Sequence, residues 1–138
     1  MNTMKALAYK ALGKIVLEDR PIPKITSPNQ VLVKVIACGI CGTDVKILEG
    51  KHAVGINAVL GHEFVGTVQE VGSAITTMKV GDRVAVDNSL RCGVCEFCRS
   101  GMSSQCDWLK DKSIGIFQDG GYAEYCVLPE NACYKVPE

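Results

Sequence analysis

Residues 30–38, QVLVKVIAC, sort into two alternating sets: Val31, Val33, Val35 and Ala37 against Leu32, Lys34, Ile36 and Cys38. Successive side chains of an extended backbone point to opposite faces, so a period of two predicts a strand with one face on a core. Upstream, MKALAYK and KIVLED flank Ala11, Leu12 and Gly13, which predicts a hairpin. Downstream, FVGTVQEVG, DRVAVD, YAEYCVLP and CYKVP are further β-branched or aromatic runs set off by Gly, Pro, Asp and Asn. The best helix is short, VKILEG, with Thr43 or Asp44 as its cap. Short strands at this spacing predict a mainly β chain, a barrel or sandwich, with one or two short helices.

Composition narrows the class. The chain has 138 residues, 47% of them hydrophobic and 22% charged, enough apolar surface for one core and one domain over 1–138. Fifteen Lys and Arg balance fifteen Asp and Glu without a block of like charge, which argues against nucleic acid and against a basic membrane patch. Small molecules or proteins are the expected partners. The N-terminal stretch MNTMKALAYKALGKIVLEDR has no apolar signal core, and the longest apolar run, VLVKVIACGI, is interrupted by Lys34, so the reading is a soluble, cytoplasmic chain.

A reducing compartment disfavours structural disulfides and turns attention to the clustered thiols of RCGVCEFCRSGMSSQC, residues 91–106. Cys92, Cys95, Cys98 and Cys106 form Cys-x2-Cys-x2-Cys-x7-Cys. Tetrahedral zinc with sulfur at about 2.3 Å needs four thiolates roughly 4 Å apart, which tight turns can supply. Such a site has no open position and is structural. It would occupy a small lobe at about 88–110, its excess negative charge offset by Arg91, Arg99, Lys110 and backbone N–H groups. The rival is an iron–sulfur cluster, but the bacterial ferredoxin run places its fourth cysteine after three residues and follows it with Pro, where this chain has seven residues and then Asp107. An unligated or disulfide-bonded cluster is the third reading.

A second constellation precedes the lobe: GICGTD at 39–44 and GHEFVGTVQEVGSAI at 61–75. Cys41 and His62 are a soft thiolate and an imidazole on separate segments, as in a metal site assembled across a fold. Taken singly, each is more often a small core residue or a satisfied turn residue.

Together with KVGDRV, the four-cysteine lobe and GGYAEYCVLPE, these segments, in this order, resemble the zinc-dependent medium-chain alcohol and polyol dehydrogenase family over essentially the whole chain. The resemblance implies a GroES-like, partly open β-barrel that forms the catalytic, substrate- and zinc-binding domain. It implies a second, catalytic zinc with Cys41 and His62 as two ligands, Glu63 as the acidic residue beside the metal or an alternate ligand, Asp44 as the carboxylate orienting the imidazole, and Thr43 as the hydroxyl that passes the substrate proton outward. The implied reaction is oxidation of an alcohol or polyol to a carbonyl, zinc stabilising the alkoxide from which hydride passes to NAD or NADP. A homo-oligomeric parent enzyme is implied as well.

The chain departs from the family pattern in two ways. Lys46 stands where many members carry a histidine at the outer end of the proton relay, and reads as a solvated helix residue. No GxGxxG fingerprint occurs, and the family's third zinc ligand falls beyond the last residue, so the expectation is a truncated fragment, inactive alone, without its Rossmann cofactor domain and with its catalytic zinc only partly held or lost. A stand-alone zinc-stabilised binding module is the alternative, and a metal-buffering or redox protein a weaker third. Cys38, Cys126 and Cys133 read as buried thiols, His52 as a loop residue, and Trp108, Phe117 and Tyr122 as packing residues or cleft linings.

Overall fold

The computed structural model describes residues 2–137. The predicted hairpin forms from β1 (Thr3–Ala11) and β2 (Lys14–Pro21), an antiparallel pair that makes its own two-stranded sheet. The remaining strands, β3 (Gln30–Cys38), β4 (Phe64–Val71), β5 (Arg83–Val86), β6 (Tyr125–Pro129) and β7 (Cys133–Lys135), form one antiparallel sheet in the order β6-β3-β4-β5-β7. Single bridges from Ala6 to Ala123 and from Ala8 to Val59 hold the hairpin against the loops of the larger sheet. The result is the mainly β, curled half-barrel expected. Among the described residues no helix is long and apolar enough to cross a membrane.

The apolar positions of the central strands make the core. Val31 and Val33 of β3, Phe64 and Val68 of β4, Val84 of β5 and Leu128 of β6 are buried in one cluster. Gly66 permits it, because a Cβ there would overlap Val33 Cγ1 and the Lys34 carbonyl. The alternation of β3 does not run its full length. Val31 and Val33 are buried and Val35 partly so, but Ala37 is exposed, because the β3–β4 register shifts between Val35 and Ala37. A bulge of this kind re-aims the side chains beyond it. It turns the end of β3 toward the segment that precedes β4.

Three sequence expectations are corrected. The helix α1 (Gly42–Leu48) is capped by Cys41, not by Thr43 or Asp44. Cys41 has extended backbone, its Sγ accepts from Thr43 N at 3.5 Å, and the Asp44 carboxylate accepts from Cys41 N at 2.9 Å, so a thiol takes the place of the usual hydroxyl. The last long strand starts at Tyr125, not Tyr122, because Gly121 and Tyr122 donate to the Gly61 and Leu60 carbonyls outside the sheet. Cys126 and Cys133 are buried as expected, but Cys38 is only partly so.

Candidate metal centres

The bulged end of β3, the start of α1 and the start of β4 meet at one place. Cys38 of β3 pairs with Phe64 of β4, and Gly39 N donates to the Glu63 carbonyl at 2.8 Å. That pairing brings Cys41, at the helix cap, to His62 and Glu63, which directly precede β4. One ligand atom from each of the three lies within 4.8 Å of the others. His62 is buried, Cys41 partly buried and Glu63 exposed, so the group opens to solvent on the carboxylate side. A cavity of about 430 Å³ adjoins it, lined by Ala37, Gly39, His62, Glu63, Val86 and Asp87 among others. Gly61 allows this approach: its φ is +89°, and a Cβ there would sit 2.6 Å from Tyr122 Cδ1 and 2.8 Å from Cys38 Sγ.

Behind the three donors lies Asp44, 5% exposed against 6% for His62. Its Oδ2 accepts from Cys41 N at 2.9 Å and from the Tyr122 hydroxyl at 3.0 Å. Its Oδ1 faces His62 Nδ1 at 3.7 Å, and neither of these two buried atoms has a hydrogen-bond partner. A carboxylate oxygen accepts only and a neutral imidazole carries one N–H, so a short closure with the proton on Nδ1 would satisfy both atoms. Nε2 is then the nitrogen left with a lone pair. Thiolate, imidazole and carboxylate are the donor types that zinc takes, and the buried unpaired Nδ1 is the atom a metal-binding histidine directs to a carboxylate. The donor set therefore fits zinc.

Thr43 Oγ1 lies 3.7 Å from Cys41 Sγ. Burial, and after it the hydrogen bond to Asp44, push the Tyr122 phenol above its ordinary range, so it keeps its proton and donates. Burial likewise raises the Cys38 thiol to about 11. Tyr122 is the member of this network that the sequence did not assign. The available signal was a tyrosine directly after Gly120 and Gly121, where ring and backbone approach together.

The four lobe cysteines also converge. Their sulfurs all lie within 4.8 Å of one another, with Cys92 and Cys98 at 4.0 Å. A short helix α2 (Glu96–Arg99) and 3₁₀ turns at Ser103–Gln105 and Asp107–Lys110 fold the segment, with Cys95 as the cap of α2. Backbone N–H groups point at sulfur: Cys92 N to Cys106 Sγ at 3.3 Å, Cys95 N to Cys92 Sγ at 3.2 Å, and Cys98 N to Cys95 Sγ at 3.5 Å. Donation from Val94 N, and next from Cys95 N, holds the Cys92 thiol well below its ordinary range, which readies it as a thiolate. Two of the cations expected to offset the charge are engaged elsewhere, Arg91 with Asp87 at 3.2 Å and Lys110 with Asp107 at 2.6 Å. The N–H groups are the direct partners of the sulfurs.

Of the other singled-out residues, Trp108 lies within the lobe, in its Asp107–Lys110 turn, and none is among the donors of either centre. His52 is exposed, with Nδ1 2.7 Å from the Ala53 carbonyl. Phe117 packs on the cluster of Tyr9, Ile47, Leu60 and Ile116. Trp108 is exposed, and Lys112 Nζ lies 5.7 Å from its ring centroid. Lys46 is exposed on α1.

Residues 27–138 match the model of the alcohol dehydrogenase GroES-like domain. The chain belongs to this family. Among its relatives is a D-xylulose reductase A of Aspergillus niger, 44% identical over 137 residues that cover 96% of this chain and 38% of the relative. Among solved GroES-like folds, a putative zinc-binding dehydrogenase from Sinorhizobium meliloti, bound to NADP, superposes with a TM-score of 0.93 at 39% identity, covering 99% of this chain and 39% of that one. Galactitol-1-phosphate dehydrogenase from Escherichia coli gives 0.90 at 34% identity, covering 97% and 38%. The chain thus spans less than half the length of the relatives it matches.

Proposed function

We propose that this chain is the catalytic domain of a zinc-dependent, NAD(P)-linked alcohol or polyol dehydrogenase, with one domain over 1–138 and a structural zinc lobe at about 88–110. The observation that carries the reading is the convergence of Cys41, His62 and Glu63 beside an open cavity, with Asp44 behind the imidazole. Family membership and the names of the relatives support the substrate class, a small alcohol or polyol.

In this reading Cys41, His62 through Nε2, and Glu63 hold the catalytic zinc, and Cys92, Cys95, Cys98 and Cys106 hold the structural one. Bound zinc supplies the positive charge that brings the pKa of an alcohol oxygen toward neutrality. The chain's own residues do the rest. Asp44 fixes the imidazole, Thr43 accepts the alcohol proton on its hydroxyl and passes it outward, and the cavity between Ala37 and Val86 positions the carbon skeleton. Hydride transfer requires a nicotinamide held within about 3.5 Å of the reacting carbon, and none of the 138 residues forms a dinucleotide fingerprint. The chain alone is therefore expected not to turn over.

The test joins this chain to the cofactor-binding portion of a related D-xylulose reductase and assays it with NAD and NADP against ethanol, 2,3-butanediol and sorbitol. The chimera is expected to oxidise at least one alcohol, to lose that activity on Cys41→Ala or His62→Ala, and to keep part of it on Thr43→Ala. A folded chimera that binds cofactor, carries zinc at both centres and oxidises none of them overturns the proposal.

A further inference from the structure

The two oxygens of the Asp44 carboxylate face different groups. Oδ2 is held by Cys41 N and by the Tyr122 hydroxyl, and Oδ1 is the atom turned to His62. The Cys41 contact comes from the chain three residues away and moves with α1. Tyr122 reaches in from a segment 78 residues further on. Its ring is anchored outside α1 as well as on it: Tyr122 N donates to the Leu60 carbonyl at 2.9 Å, and the ring packs on the cluster of Met4, Ala6 and Val59 and on that of Tyr9, Leu60 and Ile116, which also includes Ile47 of α1. The hydroxyl sits at the end of this fixed ring. It has one proton and two acceptors in range, the Gly39 carbonyl at 3.1 Å and Asp44 Oδ2 at 3.0 Å, and the charged oxygen is the stronger acceptor.

We propose that Tyr122 is a positioning residue: its hydroxyl locks the Asp44 carboxylate so that Oδ1 meets His62 Nδ1 and the other ring nitrogen is presented to the metal. The consequence for metal binding rests on the reading of Cys41, His62 and Glu63 as ligands, but the effect on the Asp44–His62 pair does not. Without the hydroxyl, Oδ2 keeps one donor, and rotation about the Cβ–Cγ bond takes Oδ1 away from the imidazole. Groups that orient a metal-binding histidine alter affinity by about 10- to 100-fold when removed. A residue one step further out is expected at the lower end of that range.

Tyr122→Phe removes a single oxygen and keeps the ring. Two readouts separate the proposal from the metal reading. In the metal-free chain, nitrogen-15 NMR is expected to show His62 held as the Nδ1–H tautomer, and Tyr122→Phe to give a tautomer mixture. An unchanged tautomer overturns the proposal whatever the metal does. In the chain whose lobe is already filled with zinc, cobalt titration followed by thiolate-to-metal absorption is expected to show about tenfold weaker binding in Tyr122→Phe, unaltered lobe zinc, and no such absorption in Cys41→Ser. Equal cobalt affinity in the unaltered chain and Tyr122→Phe overturns the metal consequence, whereas an undiminished signal in Cys41→Ser overturns the ligand assignment instead. Should Tyr122→Phe fail to fold, the unaltered chain decides: a coupling across the hydrogen bond from the Tyr122 hydroxyl to the Asp44 carboxyl carbon is expected, and its absence overturns the proposal.

Discussion

His62 Nδ1 and Asp44 Oδ1 face each other at 3.7 Å, both buried and both without another partner. Two orphaned polar atoms in one place are costly unless they satisfy each other, and a ligand on the far side of the ring gives them reason to be there. Asp44→Asn keeps the shape and removes the charge. Zinc affinity at the Cys41–His62–Glu63 centre is expected to fall about 10- to 100-fold in chelator competition, with the lobe unaffected. Unchanged affinity would mean that the carboxylate serves only to cap α1.

The lobe carries all four of its donors within fifteen residues, so its metal and its local fold are expected to be lost together. Cys106 is 1% exposed, and Leu90 and Ile114, on either side of the lobe, are buried in the main core. Cys106→Ser is expected to release the lobe zinc and to raise hydrogen exchange across residues 92–111 while β3 and β4 stay protected. Exchange rising equally through the whole sheet would show that the lobe supports the core, against this account.

Asp82 ties the β4–β5 turn to the sheet edge. Its carboxylate accepts from Lys79 N at 2.9 Å and lies 3.1 Å from Lys135 Nζ of β7. The Lys79 N–H first, and the Lys135 ammonium after it, hold this carboxyl below the usual range. A group whose pKa is lower when folded stabilises fully above its unfolded value, near about 3.9, and loses that contribution as pH falls through the folded value. Asp82→Asn is thus expected to lower Tm by a constant amount at neutral pH, and the gap to the unaltered chain should close below about pH 4. A gap that widens toward acid would contradict the assignment.

Strand positions were legible in the chain because β-branched runs end at Gly, Pro and Asp, and β3 spans Gln30–Cys38 as its alternation predicts. The order β6-β3-β4-β5-β7 was not, since pairing partners are chosen by three-dimensional packing and not by local period. Cys41, His62 and Glu63 were legible as residue types in a familiar order, and the fold brings them together. The bulge after Val35 was hidden because Ala37 continues the apolar alternation while facing the cavity. Tyr122 was hidden for a related reason. Nothing along the sequence marks an aromatic ring as packing residue or polar contact until its hydroxyl is found against Asp44.

The claim of two separate metal centres is tested most directly by counting ions per chain with native mass spectrometry. The chain loaded with excess zinc is expected to carry two. Brief chelator treatment should leave one, held by the lobe's four thiolates, because the Cys41–His62–Glu63 centre offers three protein donors and opens to solvent. Cys41→Ala should carry one from the outset. A chain that takes up only one zinc at any excess, or a Cys41→Ala chain that still takes up two, would contradict the account.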